Sequence, residues 1–226
     1  MKLLKLIKKN ALPSFCTSNL DALIVILIYA KKNNLPCLIE STSNQVNQFG
    51  GYTKLKPLQF YNEVLKLAKS TNFPKKKLYL GGDHLGPLPW KNKNSKISLK
   101  NSINLINYYI KANYCKIHID TSIKCADDKK INYSKIFERT KHLLNKNNLK
   151  NKLNNIFLVI GSEVPLSGSN EKGMIKVTKI NQIQNEIKKF KKLLFKLNKK
   201  KNLYFALVIE PGMRYLNYTI SKPKLQ

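Results

Sequence analysis

Leu80-Gly81-Gly82-Asp83-His84-Leu85-Gly86-Pro87 is the stretch that decides how the chain is read. An apolar, β-prone run, Lys77-Leu78-Tyr79-Leu80, meets two glycines, then an acid, an imidazole and a Gly-Pro break. The combination predicts the C-terminal end of a barrel strand, where side chains stop packing and begin to face a ligand. The glycines are expected there for a tight turn or a close backbone approach, since they carry no Cβ. Asp83 and His84 place a proton acceptor and a metal-ligating imidazole at one strand end. Alone, the stretch reads equally as a Gly-rich turn with a capping Asp and a surface His, so its surroundings must decide.

Working outward, strands alternate with helices. Ser14-Phe15-Cys16-Thr17-Ser18-Asn19 predicts a short strand ending in polar residues, Asp21–Lys32 a largely apolar helix, and Cys37-Leu38-Ile39 a second strand ending at Glu40. Ser41 to Tyr52 is too long and too polar for a mere turn, and loops of that kind often carry function. Leu58–Ser70, Ile97–Lys111, Lys135–Asn148 and Ile180–Leu197 have helical spacing of apolar residues. Cys115–Ser122, Ile156–Ile160 and Leu203–Ile209 predict further strands, and alternation puts His118 and Asp120 on one face. Met213–Gln226 shows no periodicity and is expected to be a disordered tail. Six strands alternating with helices imply right-handed βαβ units and a parallel sheet. Polar residues at nearly every strand end favour a TIM (β/α)8-type barrel over a Rossmann sheet, whose site gathers at one switch point. GxGxxG after the first strand and GxxxxGK[ST] are both missing, so dinucleotide and P-loop readings lack support. The expectation is one barrel-type domain over residues 1–226, apparently truncated after about six βα units.

The chain has 226 residues, 42% of them hydrophobic, enough for a buried core. A formal charge of +30 would ordinarily suggest a polyanion partner. Only Arg139 and Arg214 are arginine among 42 basic residues, and Lys, Asn and Ile are all heavily used. That bias follows from an AT-rich coding sequence, and nucleic-acid binders lean on Arg for bidentate contacts, so nucleic acid is not the expected partner. A basic field would still assist capture of a sugar phosphate. Cys16, Cys37, Cys115 and Cys125 form no CxxC pair, and three lie in or beside apolar runs, which predicts buried free thiols and a reducing, cytoplasmic setting. Met1–Asn10 lacks the apolar core of an export signal, and the longest apolar run, Ala22–Ala30, is too short to span a bilayer, so no membrane is expected.

Glu40, Asp83, His84, His118, Asp120 and Glu163 form the candidate constellation, with Asn44 and Gln45 on the adjoining loop and Gly82 and Ser122 at strand ends. If they converge on one mouth, they could hold a divalent metal through His84 and Glu163 and supply Asp83 as a base. A metal would polarise a carbonyl, as retro-aldol cleavage or epimerisation requires. Each residue also has a structural reading. A strand-end Asp often caps the next helix, a His inside a strand is as often a satisfied core residue as a ligand, and Glu163 before Val-Pro can simply pair with a lysine.

Several stretches resemble one family closely and in order between about Ser14 and Gly212. They are Leu38 to Thr53, Gly81 to Pro87, Lys116-Ile117-His118-Ile119-Asp120-Thr121-Ser122, Cys125-Ala126-Asp127-Asp128, and Val159-Ile160-Gly161-Ser162-Glu163-Val164-Pro165. These resemble the GatZ/KbaZ family, the non-catalytic subunits of class II D-tagatose-1,6-bisphosphate aldolase. The resemblance implies a barrel related to zinc-dependent class II aldolases and a catalytic aldolase subunit as partner. It also implies a role in galactitol, N-acetylgalactosamine or tagatose breakdown. Asp83 and His84 match the relatives' acid/base and zinc-ligand pair, while Ala206 stands where a second zinc-binding histidine is expected ahead of Pro211-Gly212. Such sites normally use three protein ligands, so the loss agrees with an accessory role. Members run to roughly twice this length, which implies a truncated or decaying gene product. The alternative is that the chain is itself a metal-dependent sugar-phosphate aldolase or ketose C4 epimerase using Asp83 and His84.

Overall fold

The computed structural model describes residues 2–7, 11–146, 155–161, 178–197, 205–209, 214–215 and 220–221. Six strands form one parallel sheet: β1 (Ser14–Cys16), β2 (Cys37–Thr42), β3 (Leu78–Asp83), β4 (Lys116–Ile119), β5 (Phe157–Ile160) and β6 (Phe205–Leu207). Their spatial order equals their chain order, and every neighbouring pair is parallel. Helices α2 (Leu20–Lys32), α3 (Pro57–Ser70), α4 (Ser95–Lys111), α5 (Tyr133–Lys146) and α6 (Ile180–Leu197) follow in turn, and α1 (Lys2–Ile7) precedes β1.

One apolar cluster joins Leu23 and Leu27 of α2, Phe60 and Val64 of α3, Leu105 and Ile106 of α4, Leu143 of α5 and Phe190 of α6 to Ile39, Leu80, Ile117, Ile119, Leu158 and Ile160 of the sheet. All five helices therefore cover a single face. Sequential strands with helices on one face form the wall of a barrel, whereas a doubly wound sheet carries helices on both faces. The other face is the inner one. Leu3 of α1 packs there against Phe157 and Val159, with Tyr79 and Ala206 alongside.

Helix ends within the described residues agree with the sequence to within two residues, and the expected end of α5 at Asn148 lies outside them. Asparagine side chains accept the first free amides at three starts: Asn19 from Ala22, Asn94 from Ile97 and Asn132 from Lys135. The strand bounds differ at one decisive place. The sequence predicts that β3 stops before Gly81, but the strand runs through Gly81 and Gly82 to Asp83, paired with β2 throughout. The turn falls one residue later, at His84, whose φ is 89°. Arg214–Tyr215 and Ile220–Ser221, inside the stretch read as featureless, pair as a short antiparallel ladder, β7 and β8. Among the described residues no helix is long and apolar enough to cross a membrane.

Candidate functional site

Strand alternation sets the inner face row by row. Cys16, Glu40 and Gly81 stand side by side on β1, β2 and β3, and Thr42 stands beside Asp83. Lys116 and His118 of β4 lie beside Phe157 and Val159 of β5, and Val159 lies beside Ala206 of β6. Ile117 and Ile119 belong to the helix-side core, so the residues between and after them, His118 and Asp120, point inward.

The floor of this face is an ion pair. Glu40 and Lys116 come from strands on either side of β3 and join across it, Glu40 being 2% exposed. They can meet because Gly81 has no side chain. A Cβ there would lie 2.4 Å from Glu40 Oε1. Gly82 faces the opposite way, and a Cβ there would lie 2.7 Å from the Tyr109 ring. Both glycines thus serve close approach rather than chain reversal. The structure places Gly82, read from sequence as a binding residue, against α4 and away from the mouth.

Above the floor, Asp83 gathers two imidazoles. Its Oδ1 lies 2.8 Å from His118 Nδ1, its Oδ2 lies 2.9 Å from His84 Nδ1, and the two rings stand 4.3 Å apart at 68°. Burial alone would push the Asp83 carboxyl up, but the hydrogen bonds and charge of His118 and His84 hold it far below the usual carboxylate range. Burial alone would push His84 down, yet Asp83, with Asp120 behind it, raises it overall. Backbone bonds fix the arrangement: Leu85 N–H donates to His118 O at 2.8 Å, and Ser43 Oγ donates to His84 O at 2.9 Å. These contacts hold the left-handed His84, a conformation unfavourable for a residue with a Cβ.

Asp83, His84 and His118 each present one ligand atom, and those atoms all lie within 4.8 Å of one another. Two imidazoles and a carboxylate suit a divalent transition metal. Ala206 offers only a methyl, packed in the inner apolar cluster. Asp120 is buried and turned inward, but its Oδ1 accepts from Ser122 N and Oγ at 2.9 and 2.7 Å, so these two form a closed turn beside the site. Gln45 is buried, with its Oε1 accepting from Thr42 N at 2.7 Å, which braces the loop after β2. Asn44 is exposed on that loop. Glu163 lies outside the described residues. Of the residues expected from sequence, the structure brings Glu40, Asp83, His84, His118 and Asp120 to one face. Sequence reasoning missed Lys116, whose signal was its place two residues before His118 on the inward alternation.

The Cys125-Ala126-Asp127-Asp128 stretch is structural. Asp128 accepts from both Arg139 and Cys125 N, and Asp127 accepts from Ser95 at the start of α4. Burial raises the Cys37 thiol to about 11, and Cys115 likewise, so both remain protonated.

A family model described as D-tagatose-1,6-bisphosphate aldolase subunit GatZ/KbaZ-like matches residues 2–224. The chain belongs to the GatZ/KbaZ-like family. The D-tagatose-1,6-bisphosphate aldolase subunit GatZ of Klebsiella pneumoniae is 33% identical over 210 residues, which cover 89% of this chain and 50% of that protein. This GatZ/KbaZ-like chain therefore spans about half the length of the curated relative it matches. A probable tagatose 6 phosphate kinase from Sinorhizobium meliloti 1021 superposes with a TM-score of 0.78 at 27% identity, covering 93% of this chain and 52% of that one. The fructose-bisphosphate aldolase of Campylobacter jejuni superposes at 0.55 and 18% identity, covering 96% of this chain and 57% of that one, a likeness of fold alone.

Proposed function

We propose that this chain is an accessory subunit of class II D-tagatose-1,6-bisphosphate aldolase, binding and activating a separate catalytic subunit in the breakdown of galactitol, N-acetylgalactosamine or tagatose. The observation that carries the proposal is membership of the GatZ/KbaZ-like family across residues 2–224. Two features of the mouth support it. The two imidazoles beside Asp83 hold its carboxyl far below the usual carboxylate range, and a carboxylate held ionised in that way is a poor proton donor and a weak base. Strand β6 offers the Ala206 methyl where the resemblance calls for a zinc-binding histidine.

The Asp83–His84 pair would hold a divalent metal, zinc among the candidates, and such a metal would polarise a carbonyl of a sugar phosphate. The chain's own groups would frame that ligand. Lys116, paired with Glu40, sets a charged floor, and Asp120 with Ser122 borders the mouth. A second reading, that the chain itself is a metal-dependent sugar-phosphate aldolase or C4 epimerase, is favoured by the donor cluster.

Co-elution with a catalytic aldolase subunit on size exclusion tests the proposal. The accessory role predicts a shared peak and slower thermal inactivation of the catalytic subunit in it. Separate peaks and an unchanged inactivation rate would oppose it. Turnover by this chain alone that disappears in Asp83→Ala would establish the second reading instead.

A further inference from the structure

We propose that His118 is a metal ligand, completing with His84 and Asp83 a three-donor site for a divalent transition metal between β3 and β4. The proposal rests on the metal part of the reading above and is independent of the accessory role.

A histidine inside a strand is ordinarily a packing residue with both ring nitrogens satisfied. His118 is not. Its side chain is 4% exposed, its Nδ1 contacts Asp83, and its Nε2 is buried with no partner. Asp83 Oδ1 stands 2.8 Å from His118 Nδ1 and Oδ2 stands 2.9 Å from His84 Nδ1, so donor atoms of all three residues already face one another, as the ligands of one cation do. His84 Nδ1 is likewise buried and, despite that contact, makes no hydrogen bond, and two imidazoles with one carboxylate are a donor set suited to a divalent transition metal.

Position agrees with chemistry. Ile117 and Ile119 are fully buried in the helix-side core, and they turn His118 inward beside the end of β3. The His84 ring stands 4.3 Å away, and a donor atom from each of the three residues lies within 4.8 Å of the others. Asp83 gathers both rings and supplies the negative charge that a dication requires. Of the other inward carboxylates, Glu40 is committed to Lys116 and Asp120 Oδ1 accepts from Ser122. Val159 and Ala206, which continue the His118 row across β5 and β6, are apolar.

The test uses the full chain, stripped with chelator and titrated with Co2+ in the absence of any partner or sugar. One equivalent is expected to give a saturating visible absorption. His118→Gln should weaken binding at least about tenfold, while His142→Gln, on α5, should leave it unchanged. Only three histidines are present, so imidazole 15N resonances of the wild-type chain give a second readout that does not depend on a variant folding. One equivalent of Zn2+ should move the ring nitrogens of both His84 and His118 and spare His142. The proposal is overturned if no saturable one-equivalent binding occurs, if His118→Gln binds as tightly as wild type, or if Zn2+ moves His84 alone. Metal binding without activation of a catalytic subunit would sink the accessory role and leave this site standing.

Discussion

The Glu40–Lys116 pair exists because nothing stands between its partners. At Gly81 a methyl would come within 2.4 Å of the Glu40 carboxylate, so Gly81→Ala must displace a side chain that is 2% exposed. Breaking a buried ion pair leaves charge unpaired, and the expected loss is about 3 kcal/mol in urea unfolding. The sign is diagnostic, since Gly→Ala in an unobstructed strand is favourable. Asp128 carries a second residue-scale prediction. Burial alone would raise its carboxyl, but Lys135, Cys125 N–H and Arg139 lower it from 3.8 to about 2. A folded-state value below the unfolded one adds stability that is complete above 3.8 and lost as pH falls through about 2. Asp128→Asn should therefore lower stability at neutral pH and flatten its decline across that acid window, as read by urea midpoints. At this scale the sequence was only half legible. It flagged Asp83, His84 and Asp120 from their strand-end positions, but the use of Gly81 depends on a pair from two other strands. The unspent nitrogen of His118 depends on what surrounds it, and no linear pattern carries that.

Asparagine performs at helix ends what glycine usually performs. Asn34, Asn72 and Asn113 follow α2, α3 and α4 with φ of 56°, 52° and 63°. Behind each, the next amide closes the helix: Leu35 N to Ala30 O, Phe73 N to Ala68 O, and Tyr114 N to Tyr109 O, at 2.8, 2.7 and 3.2 Å. With the paired bonds Asn34 to Lys31, Asn72 to Lys69 and Asn113 to Ile110, each is a Schellman cap. Asn tolerates the left-handed conformation because its short polar side chain bonds locally. Asn72→Ala should cost about 1 kcal/mol and Asn72→Gly should not, measured by thermal unfolding. The elements themselves were legible because apolar spacing alone fixes which face of each helix is buried. The cap chemistry was not, since in a chain so rich in Asn the few that take positive φ look like the rest.

At the scale of the whole molecule, strand order carries the reading. Six parallel strands in chain order, with five of the described helices on one face, leave an inner face that Leu3, Phe157 and Val159 fill on the β5 side and that holds the charged residues on β2 to β4. The βα alternation made this barrel wall predictable, because right-handed crossovers allow little else. Which inner-face groups touch one another follows from register, which alternation within single strands does not encode. The basic charge of +30 is borne overwhelmingly by lysine, which suits attraction of a phosphorylated sugar without specifying one. The central claim is that this GatZ/KbaZ-like chain assists catalysis rather than performing it. The most direct test is cleavage of D-tagatose-1,6-bisphosphate by this chain alone, by a catalytic class II subunit alone, and by the two mixed. The account predicts no turnover from this chain alone and a faster rate in the mixture than from the catalytic subunit. Turnover by this chain alone, or a mixture no faster than the catalytic subunit, would contradict it.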